Sequence, residues 1–181
     1  IALAKADPGK LNYGSTGVGS GSHLAMELFM ARTGIKMTHV PFRGAAPLVQ
    51  EIIGGRIDIA NSTLPSVLEQ INAGTLRAIA LASPERNARA KDIPTLREQG
   101  IAEADADSWA AFFAPAATPA PVLEALSKAI LASLAKPTVT EQILKLGFTM
   151  RLRDPAAFRP YHQQEIATWE NIIKAAGVKP E

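Results

Sequence analysis

Three times before Ala73, a short apolar run breaks at a turn rich in Gly, Ser, Asn or Pro and passes into a helical run. Leu11–Ser15 reads as a strand. It leads through Thr16–Ser22 into a segment from His23 where Leu24, Leu28 and Met30/Ala31 fall at helical spacing, with Gly34 just past the helix end. Met37–Val40 reads as a second strand ending at Pro41, and Phe42-Arg43-Gly44-Ala45-Ala46 precedes a helix over Pro47–Ile53 that stops at Gly54-Gly55. Ile57–Asn61 is the third strand, and its helix spans Thr63–Ala73 with Pro65 suited to a first turn. Strands separated by helices with short loops pair in parallel and are covered on both faces. The pattern predicts an α/β fold with a doubly wound, mostly parallel sheet flanked by helices.

Further along, Leu76–Ala82 reads as another strand and Pro84–Pro94 as a polar loop. Thr95-x-x-Glu98 has capping-box spacing for a short helix ended by Gly100. Trp109–Pro115 predicts a strand running into a Pro/Ala/Thr linker, Ala116–Pro121. A helix follows with Val122, Leu123, Leu126, Ile130 and Leu134 on one stripe, and then a second helix capped by Thr138-x-x-Glu141. Phe148–Leu152 predicts a strand. The last helix spans Pro155–Ala176, with Phe158, Tyr161, Ile166, Trp169, Ile172 and Ile173 near one face.

Composition narrows the class. Of 181 residues, 47% are apolar and 20% charged, enough to bury a core and too apolar for a disordered chain. The net charge of +2 is spread thinly, which argues against nucleic acid as a partner. No apolar run approaches the roughly 18 residues of a membrane span. Cysteine is absent, removing disulfides, thiol chemistry and Cys-ligated metal sites. Ile1–Lys5 reads as the end of a helix, with neither the charged nor the apolar region of a signal peptide.

The candidate chemistry lies in the three strand-to-helix turns. Ser15-Thr16-Gly17-Val18-Gly19-Ser20-Gly21-Ser22-His23 brings backbone N–H groups toward a helix start, where unpaired donors and the helix dipole favour a carboxylate or phosphate. Arg43-Gly44-Ala45-Ala46 and Asn61-Ser62-Thr63 occupy equivalent positions, although Asn61, Ser62 and Thr63 also suit simple capping of their own helix. In an open parallel sheet such turns gather at the carboxyl ends of the strands, where ligands bind. Enzyme signatures fail. Ser22 stands where a dinucleotide fingerprint needs its third glycine, and no phosphate loop or nucleophile elbow occurs. Ser20 and His23 are close enough for a hydrolase or transferase pair, but no acid is evident to orient the imidazole. His23 otherwise serves as a polar first-turn residue, His39 as a core or edge histidine and His162 as a residue of an amphipathic helix. The three lack a zinc pattern, so no metal and no cofactor is expected. Trp169 belongs to a packing stripe, while Trp109 either lines a cleft or fills a core.

Tyr13–Ser20, Val40–Pro47, Gly54–Asp58, Leu64-Pro65-Ser66, Trp109–Pro115 and Trp169–Pro180, in that order, resemble the receptors of tripartite tricarboxylate transporters, the Bug proteins. The resemblance implies a type II periplasmic-binding-protein-like fold that captures a small organic carboxylate and hands it to a membrane permease, with no catalysis. On this basis 1–10 are boundary, 11–114 form domain two, and 115–181 are crossing linker and C-terminal helices returning to a truncated domain one. Ser15, Thr16, Gly17, Gly19, Ser20, Ser22 and His23 would hold one carboxylate, completed by Arg43, Gly44, Ala45, Ala46, Ser62, Thr63 and Trp109. It also implies a periplasmic location and the absence of a signal peptide and an N-terminal Pro-Phe loop that supplies the other cleft wall. Ser62 stands where many relatives have Asp, and Ala111 where many have Gly. One wall encloses a ligand poorly, so weak binding is expected, and an uncovered apolar stripe on the C-terminal helices invites self-association. A metabolite-sensing module that signals to a partner protein is the other reading the chain allows.

Overall fold

The computed structural model describes residues 1–176 and 178, so Gly177 and the closing Lys179-Pro180-Glu181 lie outside the described residues. In chain order the elements are α1 (Ala2–Ala6), β1 (Asn12–Ser15), α2 (Gly21–Thr33), β2 (Thr38–Pro41), α3 (Ala45–Ile53), β3 (Ile59–Ala60), α4 (Leu64–Asn72), α5 (Ala120–Leu134), α6 (Pro137–Lys145) and α7 (Pro155–Ala176). The three strands form a parallel sheet in the order β2-β1-β3, with Tyr13 opposite His39 and Ile59, and Ser15 opposite Pro41.

Alternation along β1 assigns the layers, because successive side chains point to opposite faces. Tyr13 is fully buried in a cluster with Ala4, Met26, Met30 and Ile35, which puts α1 and α2 on its face. Gly14 faces the other way. A Cβ there would run into Leu48 Cδ1 of α3 and sit 3.3 Å from Ile57 Cγ2 and 3.4 Å from Phe42 Cε2, so only hydrogen lets α3 approach the strand this closely. Helices therefore cover both faces, as the strand–helix alternation predicts. With β1 central, the chain steps to β2 on one side and returns to β3 on the other. That reversal opens a crevice beyond the carboxyl ends of β1 and β3.

Helix α2 starts at Ser20, whose side chain accepts the His23 N–H, and ends at Gly34 in the left-handed conformation with its N–H on Met30 O. Its Leu24 and Leu28 pack on Ile172 of α7, with Trp169 and Ile173 alongside. The helix is thus held between the sheet and α7.

Several sequence expectations fail here for a shared reason: a strand needs a partner. Leu76–Ala82 forms no strand and keeps one bridge, Leu81 with Thr95. Trp109–Pro115 and Phe148–Leu152 form no strand. Phe112 and Phe113 are 74% and 71% exposed. The Thr95/Glu98 box does form, with Thr95 N–H on Glu98 Oε2 at 2.7 Å and Glu98 N–H on Thr95 Oγ1 at 3.2 Å, but it closes a turn rather than a helix. Thr138 caps nothing, because Pro137 takes the first turn of α6 and moves the N-cap to Lys136.

Candidate functional site

Parallel register brings the turns after β1, β2 and β3 to one edge of the sheet. Phe42 N–H donates to Ser15 O at 3.0 Å, and a Cβ on Gly17 would sit 3.7 Å from Phe42 O, so the first two turns are in direct contact. Gly17 and Gly19 have φ of 139° and 72°, conformations that a side chain at either position would strain.

The first turn is tightly bonded to itself. Ser22 Oγ accepts the Thr16 N–H at 2.9 Å and pairs with the Thr16 and Ser20 hydroxyls. Ser15 Oγ accepts the Gly17 N–H at 3.2 Å, Gly17 O accepts from Ser20 Oγ at 2.7 Å, and His23 Nδ1 accepts the Gly19 N–H at 3.1 Å. Ser20 N–H reaches Gly17 O. The expectation of a turn lined throughout with unpaired amides therefore needs correction: short Ser side chains and the His23 ring fold back onto Thr16, Gly17, Gly19, Ser20 and His23. The amides of Val18, Gly21 and Ser22 have no hydrogen-bond acceptor among the described residues. They sit where the 13-residue α2 begins, so the positive end of its dipole acts there.

Gly44 is the N-cap of α3 with φ 104°, and Ala45 and Ala46 open that helix without a side-chain cap. Arg43 is exposed and forms no ion pair among the described residues. Thr63 is the N-cap of α4, its hydroxyl bonded to Ser66 Oγ at 2.8 Å. Ser62 Oγ is buried and has no hydrogen-bond partner among the described residues. An open groove between α3 and α4 is lined by Ala45, Ala46, Val49, Gln50, Ser66 and Gln70. Trp109 makes its aromatic contacts with α7: it packs edge-on against Phe158, Tyr161 and His162, and its Nε1–H donates to Glu165 Oε2 at 3.1 Å.

Beneath the first turn lies a buried polar cluster that the sequence reading missed. Tyr13 and Ser15 share a face of β1, His39 lies on β2 opposite Tyr13, and His23 and Glu27 are one helical turn apart on α2. Tyr13 Oη donates to Glu27 Oε1 at 2.5 Å, and Ser15 Oγ bonds His39 Nε2 at 2.6 Å. The His23 and His39 rings stack at 4.0 Å, with Tyr13 stacked on His39 at 4.8 Å. Burial, reinforced by the bond to Glu27 and its charge, pushes the Tyr13 phenol far above its ordinary range. Burial and then His23 lower the His39 pKa, against a smaller upward pull from Glu27. The signal was available: Glu27, four residues after His23, is the acid not found in the sequence. The Ser20–His23 pair expected of an enzyme is different in kind, because Ser20 Oγ meets the His23 backbone N–H and not the ring. No group of three or more His, Cys, Asp or Glu among the described residues is placed to hold a metal, and no described helix is long and apolar enough to cross a membrane.

Residues 1–178 match the model of the family described as tripartite tricarboxylate transporter family receptor. Protein BugT of Bordetella pertussis is 33% identical over 179 residues, covering 99% of this chain and 55% of BugT. The solved structure of R. palustris Rpa4515 with adipate is 30% identical with a TM-score of 0.94, covering 99% of this chain and 60% of that one. MatC from Rhodopseudomonas palustris, solved with bound malate, is 27% identical with a TM-score of 0.85, covering 95% of this chain and 60% of that one. The chain thus spans about half the length of the curated relatives it matches.

Proposed function

The chain belongs to the family of tripartite tricarboxylate transporter receptors, and we propose that it binds a small organic carboxylate at the carboxyl edge of its sheet, performing no chemistry on it. The observation carrying this reading is the set of Val18, Gly21 and Ser22 amides that have no acceptor among the described residues at the start of α2. Such a donor set can donate to the two oxygens of a carboxylate without a counter-charge. The exposed Arg43 and the Gly44–Ala46 start of α3 supply a second anion-friendly side. Thr16, Gly17, Gly19, Ser20 and His23 then shape the turn rather than donate amides. Adipate and malate, the ligands named for two solved relatives, support a small carboxylate as the substrate class. Delivery to a membrane permease and a periplasmic location complete the proposal and rest on the family.

Thermal melting with adipate, malate and the dimethyl ester of adipate tests the reading. A ligand of the folded state present at a hundred times its Kd adds about 2.7 kcal/mol. The acids are expected to raise Tm and the ester to leave it unchanged. Equal shifts for acid and ester, or none for a panel of mono-, di- and tricarboxylates, would count against carboxylate recognition. Replacement of Gly21 by Pro removes one of the three donors and is expected to weaken binding more than it lowers Tm.

A further inference from the structure

The turn that carries the free amides is fixed from below by an imidazole. His23 Nδ1 accepts the Gly19 N–H at 3.1 Å, and a ring nitrogen can accept only while it carries no proton. The bond therefore requires a neutral His23 with its hydrogen on Nε2, the nitrogen that faces Glu27 Oε1 at 3.7 Å. The side chain is 8% exposed, so water cannot readily replace either partner. His39 stacks on it at 4.0 Å with the planes 6° apart, and through Nε2 it holds Ser15 Oγ, which in turn accepts the Gly17 N–H. The Gly17 and Gly19 amides thus hang from two stacked histidines, Gly19 directly and Gly17 through Ser15.

The titratable groups facing the pair are few. Tyr13 comes from β1 and Glu27 from α2, while His39 itself comes from β2. Helix α7 packs on the neighbouring Leu24–Leu28 stripe of α2 and contributes Ile172, Trp169 and Ile173, none of them charged. Two stacked cationic rings would repel across 4.0 Å, so the cluster tolerates at most one imidazolium.

We propose that His23, backed by His39, is a proton-sensitive positioning residue for the Thr16–Ser20 turn: the neutral ring holds the Gly19 N–H inward, and a proton on Nδ1 sets two donors against each other and releases the turn. The consequence for binding rests on the carboxylate reading given above. A carboxylate that needs the ordered turn binds only the neutral form, so affinity falls by up to about tenfold per pH unit as the protonated ring comes to predominate. Direct attraction between a histidine cation and a bound anion gives the opposite sign, with binding strengthening in acid. The slope separates the two.

Side-chain and backbone ¹H–¹⁵N spectra of the full chain, recorded without ligand between about pH 5 and 8, test the support itself. The expected result is His23 as the Nε2–H tautomer, with the Gly19 amide shift following the His23 ring. A proton on Nδ1 at neutral pH, or a Gly19 amide indifferent to the ring, would overturn the proposal. Adipate titrations over the same range, on wild type, His23→Asn and His23→Leu, test the consequence. Asn offers an amide oxygen near the Nδ1 position and does not titrate. Wild-type affinity is expected to fall in acid, the Asn variant to lose that slope whatever its absolute affinity, and the Leu variant to bind more weakly than the Asn variant. Affinity that rises in acid, or a slope unchanged in His23→Asn, overturns the linkage. Wild type that binds no adipate at any pH speaks against the carboxylate reading, and the Gly19 titration still decides the role of His23.

Discussion

Gly14→Ala puts the packing of β1 against α3 to a direct test. The added methyl would overlap Leu48 Cδ1 and press on Ile57 Cγ2 at 3.3 Å, and Leu48 is fully buried. Overpacking of this kind costs about 1–3 kcal/mol. The lower conformational entropy of an unfolded chain with Ala in place of Gly offsets about 0.4–1 kcal/mol of it. The expected net loss is about 1–2 kcal/mol. At roughly 2.1 cal/mol/K per residue, a chain of this length unfolds with an entropy near 0.4 kcal/mol/K, so Tm drops by about 3–5 °C. Leu48→Ala alone costs about 2–5 kcal/mol through its cavity. In the double variant the new methyl enters that cavity, so the combined loss should fall short of the sum by about 1 kcal/mol or more. Chemical denaturation of the four proteins measures all three quantities. A Gly14→Ala protein as stable as wild type, or strict additivity with Leu48→Ala, would refute the close approach of α3 to the strand.

Further predictions concern the buried cluster, the ligand and the C-terminal helices. Tyr13→Phe leaves Glu27 without its donor and should cost about 1.5–3 kcal/mol in denaturant melts at neutral pH. Because the folded-state pKa of Tyr13 is raised, its contribution is fully present below the unfolded value of about 10 and is lost as pH rises above it. The wild-type alkaline decline in stability should therefore be shallower in Tyr13→Phe. The chain spans about half of its relatives, and a pocket normally buries roughly 70–90% of a small ligand. Calorimetry should accordingly find adipate bound at least about tenfold more weakly by these 181 residues than by Rpa4515. Val122, Leu123 and Leu126 of α5 are 40–47% exposed, so sedimentation should detect self-association that Leu126→Glu reduces.

The first half of the fold was legible because its signals are local. Ser20, Gly34, Gly54 and Pro65 mark helix ends within a few residues of the bonds they make, and β1 and β2 begin and end close to where alternation and Pro41 put them. Leu76–Ala82, Trp109–Pro115 and Phe148–Leu152 have strand composition, but composition carries no information about a neighbouring strand. Thr95 and Glu98 found each other as their spacing requires, yet one turn ending at Gly100 cannot repay the cost of nucleating a helix. At the site, the turn was visible as a run of Gly and Ser, whereas its internal accounting was not: each Ser hydroxyl can serve a ligand or its own backbone, and only coordinates tell which. Glu27 was within reach as the residue four after His23. The Ser15–His39 bond spans 24 positions and depends on the register of two strands.

Since the Thr16–Ser22 turn takes its shape from buried anchors, its outermost positions are free of structural duty. Val18 is 40% exposed, and Arg43 in the turn after β2 is exposed as well. If the turn holds a carboxylate as proposed, substitutions at these two positions should alter the size and charge of an acceptable guest while the scaffold stays intact. That separation makes the rim the natural place to begin when re-engineering selectivity, and leaves Ser15, His23 and His39 as positions a library should hold constant.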